Sequence, residues 1–167
     1  IEKATNEYWT SGQRQGNSLH EISYRACFQS ELPSFFISRL TEPGDGVYDP
    51  LMGRGTTLLE AFIPGRKPLG NDINPLSQAL LEPRINPPLL QDVKARLDDI
   101  DLSNAEESYP ELEVFFHPDT LHQIIALKEY LLRREASDEL DKVDCWIRMV
   151  AINRLTGHSP GFFSVYS

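Results

Sequence analysis

Hydrophobic and polar positions along this chain fall into two regimes, a punctuated first half and a helical second half. Residues 1–18 show no period; they are polar and rich in Gly, Asn and Gln, which predicts an arm of little regular structure pinned by Tyr8 and Trp9. From Ser30 to Thr41 (SELPSFFISRLT), Leu32, Phe35, Phe36 and Leu40 recur at helical spacing behind a capping serine and a first-turn proline, which predicts a helix. Pro-Gly-Asp-Gly then turns the chain. Gly46 to Asp49 reads as a short strand, Thr56 to Phe62 as the start of a helix that Pro64-Gly65 stops, and Lys67 to Asp72 as a second strand. Strand, helix and strand in that order make a βαβ unit, hence a parallel pair.

Downstream of Ser77 the period is helical. Leu90, Val93, Leu97 and Ile100 predict a helix over Leu89–Ile100, and the same pattern recurs over Thr120–Arg133 and Glu139–Leu155. Asp119-Thr120 and Ser137-Asp138-Glu139 are the expected capping signals of the latter two. Between the first two of these helices Leu112–Phe116 (LEVFF) reads as a third strand, although so short an apolar run is ambiguous. There is no repeat, and the only linker-like stretch is Asp101–Glu111. The expected organisation is an arm over 1–18 and one α/β unit over 19–167.

Length and composition agree with one ordinary domain: 167 residues, 40% of them hydrophobic. The 25 acids against 16 Lys plus Arg, a net charge of -9, exclude a broad basic face for gripping phosphates. Cys27 and Cys145 match no metal or redox spacing and read as buried thiols in a reducing cytoplasm. No run of about 18 apolar residues exists, and the first residues resemble no targeting segment, so a soluble cytoplasmic protein without a membrane partner is expected. A start at Ile1 implies loss of at least an initiator methionine. His117, His122 and His158 lack ligand spacing, so no metal is assigned, and His20 reads as structural.

The densest chemistry lies in Val47–Ser77 (VYDPLMGRGTTLLEAFIPGRKPLGNDINPLS). A strand ending at Asp49 hands over to a helix near Thr56, and Gly53 and Gly55 leave the connecting backbone without Cβ atoms, so a ligand can approach main-chain N–H groups. Asp72, at the carboxyl end of the second strand, is placed to accept both hydroxyls of a ribose, and Ile73 offers an apolar face to an adenine. A dinucleotide fingerprint requires a third glycine where Leu58 stands, and a P-loop requires a Gly-Lys-Ser/Thr that is absent. What remains is a nucleoside-containing ligand with a charged, non-phosphate end. Arg54, within the turn, is expected to face solvent.

Asp49–Thr57 (DPLMGRGTT) followed by Gly65–Ser77 (GRKPLGNDINPLS) resembles the cofactor motif of amino-group DNA methyltransferases, the N4-cytosine and N6-adenine enzymes, usually Asp-Pro-Phe-x-Gly-x-Gly-Thr-Thr. The resemblance implies a Rossmann-like sheet that binds S-adenosylmethionine. It places Asp49, Pro50, Leu51, Met52, Gly53 and Gly55 around the methionine part, and Thr56 and Thr57 at the opening of the next helix. Asp72 then takes the ribose hydroxyls, with Ile73 beside the adenine and Asn74 adjoining. Leu51 replaces the family's phenylalanine. Leu19–Asp45 resembles the segment that precedes this loop in some members, where an aromatic corresponding to Phe28 and neighbours such as Tyr24 close the pocket. The resemblance also implies DNA as the substrate and a restriction-modification or similar bacterial setting.

The family's catalytic motif is Asp, Asn or Ser followed by Pro-Pro and an aromatic that stacks on a flipped base. Asn86-Pro87-Pro88 approaches it, but Leu89 stands at the aromatic position and the prolines precede a helical pattern. Ser159-Pro160-Gly161-Phe162 fails as well, so no catalytic residue is assigned. Two or three parallel strands fall short of the family's sheet. The expectation is therefore an incomplete fold, the cofactor-binding part of a longer enzyme, with the rest of the protein or a second subunit completing the sheet and contacting DNA. This chain alone is expected to be inactive. An RNA methyltransferase sharing the loop, and a cofactor-binding or regulatory subunit without chemistry, are the alternatives.

Overall fold

The computed structural model describes residues 17–22, 24 and 27–154; Tyr8, Trp9, Leu155 and the 158–163 segment lie outside them. The chain divides into two compact units, one ending at Ile85 and the other beginning at Asn86.

In the first unit, α1 (Glu31–Leu40) buries Pro33 and Ile37. The expected serine cap does not form: Ser30 already has helical geometry, so its side chain cannot reach back to the first-turn amides. Strands β1 (Gly46–Asp49) and β2 (Lys67–Gly70) pair in parallel, with Tyr48 opposite Leu69 and Asp49 opposite Gly70, and α2 (Thr56–Phe62) is the crossover. This is the expected βαβ arrangement. Leu58 and Leu59 of α2 are fully buried and meet Leu81, with Leu19, Met52 and Ile85 around them.

β2 is two residues shorter than its apolar pattern predicts. It stops at Gly70, where a side chain would run into Leu58 and the Met52 sulfur, and Asn71 and Asp72 turn away to bond the loop after β1. Helix α3 (Pro75–Ile85) was not expected. The Asn74 side-chain oxygen accepts from the Leu76 amide (3.0 Å) and Pro75 occupies the first helical position, so the Asn-Pro pair that reads as a turn is a helix start. Pro83 lies inside the helix near its end and forfeits one backbone bond without breaking it.

The second unit holds α4 (Leu90–Asp99), α5 (Pro118–Ala136) and α6 (Lys142–Arg154) around Val93, Ile100, Val143 and Ile147. Its helices match the expected ones, but its caps do not. Asp119 is in the first turn of α5, which His117 precedes with extended backbone and no side-chain cap. Residues 137–139 close α5 instead of opening α6: Asp138 adopts a left-handed φ of 58° and the Glu139 amide returns to the Arg134 carbonyl (2.8 Å). Asp141 caps α6, accepting from the amides of Val143 (2.8 Å) and Asp144 (3.0 Å).

The third strand at Leu112–Phe116 does not form. A 3-10 turn covers Pro110–Leu112, and the amides of Phe115 and Phe116 both return to the Leu112 carbonyl, which curls the segment instead of extending it. Glu129 of α5, nearly buried, takes up the amides of Glu106 (3.0 Å) and Glu107 (2.7 Å) from the linker. Neither cysteine is buried as expected: Cys27 is exposed, and Cys145 is half-buried because α6 turns Val143, Asp144, Ile147 and Met149 inward.

Asp144 is fully buried and is bonded by Arg96, Tyr130 and Arg134, while Asp141 pairs with Arg96 at 2.7 Å. Burial raises the Asp141 pKa, but the bond from Arg96 and the α6 amides outweigh it and hold the carboxyl at about 2.

Two outcomes follow. Gly55 has φ 84°, and a Cβ there would lie 2.5 Å from Leu81 Cδ1. Gly55→Ala therefore destabilises the first unit by about 1–3 kcal/mol, read as a lower urea midpoint; an unchanged midpoint would refute the packing. Because the folded Asp141 pKa lies below its ordinary 3.8, its contribution to stability is complete above about pH 4 and is lost as pH falls toward 2. Urea titrations across that range should show Asp141→Asn losing less stability on acidification than the wild type.

Candidate functional site

The site is the pair of connections leaving the carboxyl ends of β1 and β2. Four hydrogen bonds join them: Asn71 N to Asp49 O (3.0 Å), Met52 N to Asn71 O (3.1 Å), Asn71 Nδ2 to Pro50 O (3.4 Å), and Gly53 N to a carboxylate oxygen of Asp72 (2.8 Å). The other Asp72 oxygen accepts from Asn74 N at 2.9 Å. These two amides, Asn74 first, favour the ionised carboxylate and hold the Asp72 pKa below the usual range. Asp49 accepts from the Leu51 amide at 3.1 Å, which shapes the entry to the turn.

Of the residues singled out from the sequence, Asp49, Pro50, Met52, Gly53, Asp72 and Asn74 are therefore brought together. Ile73 is 95% exposed and Leu51 78% exposed, so the connections present two bare apolar side chains to solvent. The two glycines differ. Gly53 (φ 52°) has, among the described residues, the Tyr24 ring near the place of a Cβ, 3.4 Å away, whereas Gly55 is backed by Leu81 and serves the left-handed turn into α2. Thr56 is buried, its hydroxyl accepting from Arg54 Nε (3.1 Å), and Thr57 is half-buried in the first turn of α2. Phe28 is half-buried just ahead of α1.

Arg54 does not face solvent as expected. Its guanidinium turns inward, bonding the carbonyls of His20 (3.1 Å) and Ile22 (2.9 Å). Arg84, 1% exposed, was missed altogether, because a cation that follows a proline in an unrecognised helix gives no signal of burial. Its one legible trace is spacing: Arg84 stands four residues after Leu80 and so shares the inward face of α3. His20 pairs with Glu60 at 2.8 Å, a structural contact between the stretch just after the arm and α2.

Elsewhere, a groove of about 420 Å³ lies along α5 and α6, its surface mostly the apolar atoms of residues such as Leu127, Leu131 and Ile152, with Lys128, Glu135, Arg148 and Arg154 also lining it. Among the described residues no three His, Cys, Asp or Glu side chains gather to hold a metal, and no helix is long and apolar enough to cross a membrane.

A parallel βαβ pair with a glycine turn and an acid at the two strand ends defines the class: a Rossmann-like methyltransferase fold, incomplete in this chain. Residues 2–80 match the sequence model of the N6/N4 DNA methylase family, so this stretch is similar to part of an amino-group DNA methyltransferase. Three relatives are Type II methyltransferases. M.MvaI of Kocuria varians is 28% identical over 102 residues, 61% of this chain and 19% of its own. M.MjaII of Methanocaldococcus jannaschii is 32% identical over 91 residues, 54% and 17% respectively, and M.BsoBI of Geobacillus stearothermophilus 38% over 72 residues, 42% and 14%. The matched stretch is less than a fifth of each relative's length. No solved structure matches the chain.

Asp72→Ala removes the acceptor that closes the glycine turn. Without ligand, amide exchange at Gly53 and Asn74 should accelerate about tenfold or more, since bonds to a charged acceptor are each worth about 1.5–3 kcal/mol. Unchanged exchange would show that the turn holds without the carboxylate.

Proposed function

We propose that residues 19–85 bind S-adenosylmethionine, and that the protein containing this chain methylates an exocyclic amino group of a DNA base. The observation that carries the reading is the bond from Gly53 to Asp72, which draws the two halves of the motif into one surface at the strand ends. The residues fit such a ligand. Asp72 is a charged acceptor for ribose hydroxyls, Ile73 an exposed apolar flank for the adenine, and Tyr24 a wall opposite Gly53, while the Asp49–Met52 turn faces the methionine end. When bound, the cofactor supplies a methyl group on a cationic sulfur.

Transfer to an exocyclic amine needs more than this. The nitrogen lone pair is delocalised into the base, so acceptors must be aimed at its N–H groups, and the base must leave the duplex at a cost of a few kcal/mol. Asn86-Pro87-Pro88-Leu89 does not meet that need: Leu89, extended and 61% exposed, simply precedes α4. Within this proposal the acceptors, the DNA contacts and the strands that complete the sheet come from the rest of the protein or a second subunit. The two-stranded sheet exposes the facing pair Tyr48 and Leu69, 62% and 56% accessible, which agrees with further strands or cover being added there. The type II relatives favour a restriction-modification setting, and cytosine N4 and adenine N6 are both targets of the proposed chemistry.

Calorimetry on the full-length protein should find S-adenosylmethionine binding that Asp72→Ala weakens at least tenfold and NAD does not displace. Equal affinity for wild type and variant would sink the assignment. With radiolabelled cofactor, full-length protein should label DNA and not structured RNA, while this chain alone labels neither. Label on RNA would redirect the substrate, and label from the chain alone that Asn86→Ala abolishes would place the active site within it.

A further inference from the structure

Two arginines stand between the glycine turn and residues 19–22, the stretch that carries the base of the N-terminal arm, and among the described residues no carboxylate pairs with either. Arg84 is essentially buried, and its three nitrogens go to three segments: Nε to Leu80 O of its own helix (2.6 Å), Nη1 to Leu19 O of the arm (2.9 Å), and Nη2 to Arg54 O of the glycine turn. Arg54 Nη1 takes the carbonyls of His20 and Ile22. Three carbonyls of residues 19–22 thus end on two guanidiniums, and two residues further on the Tyr24 ring lies against Gly53.

Burying a cation without a counter-charge is unfavourable, and Arg84 registers it: burial, then the charge of Arg54, lower its pKa to about 10, which still leaves it protonated at neutral pH. A plain apolar residue would have packed α3 more cheaply. What only a planar, multiply donating group supplies is simultaneous bonding to the arm, the turn and the helix. We infer that Arg54 and Arg84 are positioning residues for the cofactor, which set the arm against the glycine turn and so hold Tyr24 as a wall over Gly53. They act through the arm and not on the ligand. The inference rests on the cofactor reading for its consequence, but its mechanical half stands on the arm alone.

The test uses the full-length protein with Arg54→Met, Arg84→Met and Arg84→Lys. Without ligand, each variant should raise amide exchange at residues 19–22 about tenfold, and lysine should not rescue, because one ammonium cannot span three carbonyls in different directions. S-adenosylmethionine affinity should fall about tenfold, with the KM for cofactor rising and kcat at saturation retained. Tyr24→Ala should weaken binding similarly, and adding Arg54→Met to it should weaken it little further. If Arg84→Met does not fold, as thermal melting would reveal, Arg54→Met decides, since its side chain is only half-buried. Wild-type levels of exchange and affinity in Arg54→Met overturn the inference, as does full additivity with Tyr24→Ala. Failure of the wild type to bind cofactor would instead defeat the cofactor reading, and the exchange rates would still judge the fastening of the arm.

Discussion

The constraint on which the first unit depends is the joining of two connections that are far apart in sequence, 49–53 and 71–74. Parallel strands bring their carboxyl ends side by side, but that leaves the loops beyond them free to diverge. Four hydrogen bonds prevent it, and Asp72 is the member that no backbone group could replace, because one carboxylate satisfies an amide in each connection. An acid in that position orders the turn from both sides, and it keeps lone pairs beyond those that the two amides use.

Behind this surface the packing is tight enough to dictate residue size. The place of a Cβ on Gly70 is taken by Leu58 and Met52, and that on Gly55 by Leu81, so α2 and α3 sit closer to the connections than any larger residue would allow. Gly53 is different: among the described residues its near neighbour is the Tyr24 ring, 3.4 Å from the place of a Cβ. Three glycines that look alike on paper therefore divide into two that admit closely packed side chains and one that faces an aromatic ring.

The second unit is organised by a different device. Asp144 has no exposure and three partners, and Asp141 both caps α6 and pairs with Arg96, so a charged cluster fixes how α4, α5 and α6 meet. Its charge is balanced within the cluster, in contrast to Arg54 and Arg84 of the first unit, which pair with no carboxylate among the described residues. Balanced charge supports the packing of helices; unbalanced charge in the first unit coincides with the place where the arm is fastened beside the site.

From the residues alone, the βαβ unit, the parallel pairing, the helices of the second half and the methyltransferase resemblance were all legible, because each rests on local signals: period, Gly-Pro punctuation, and a motif read at fixed spacing. α3 was not legible, since Asn74-Pro75 and Pro83 mimic turns unless one knows that Asn74 caps and that Pro83 falls where the helix is about to end. Nor could the apolar run Leu112–Phe116 declare itself, because so short a run suits strand and turn alike, and the amides of Phe115 and Phe116 curl back to the Leu112 carbonyl. The roles of Asp72, Arg54 and Arg84 were decided only by tertiary structure. Their partners in other segments lie 19 to 65 residues away, and hydrogen bonds over such separations exist only after the sheet has aligned the strand ends and α3 has packed beneath them.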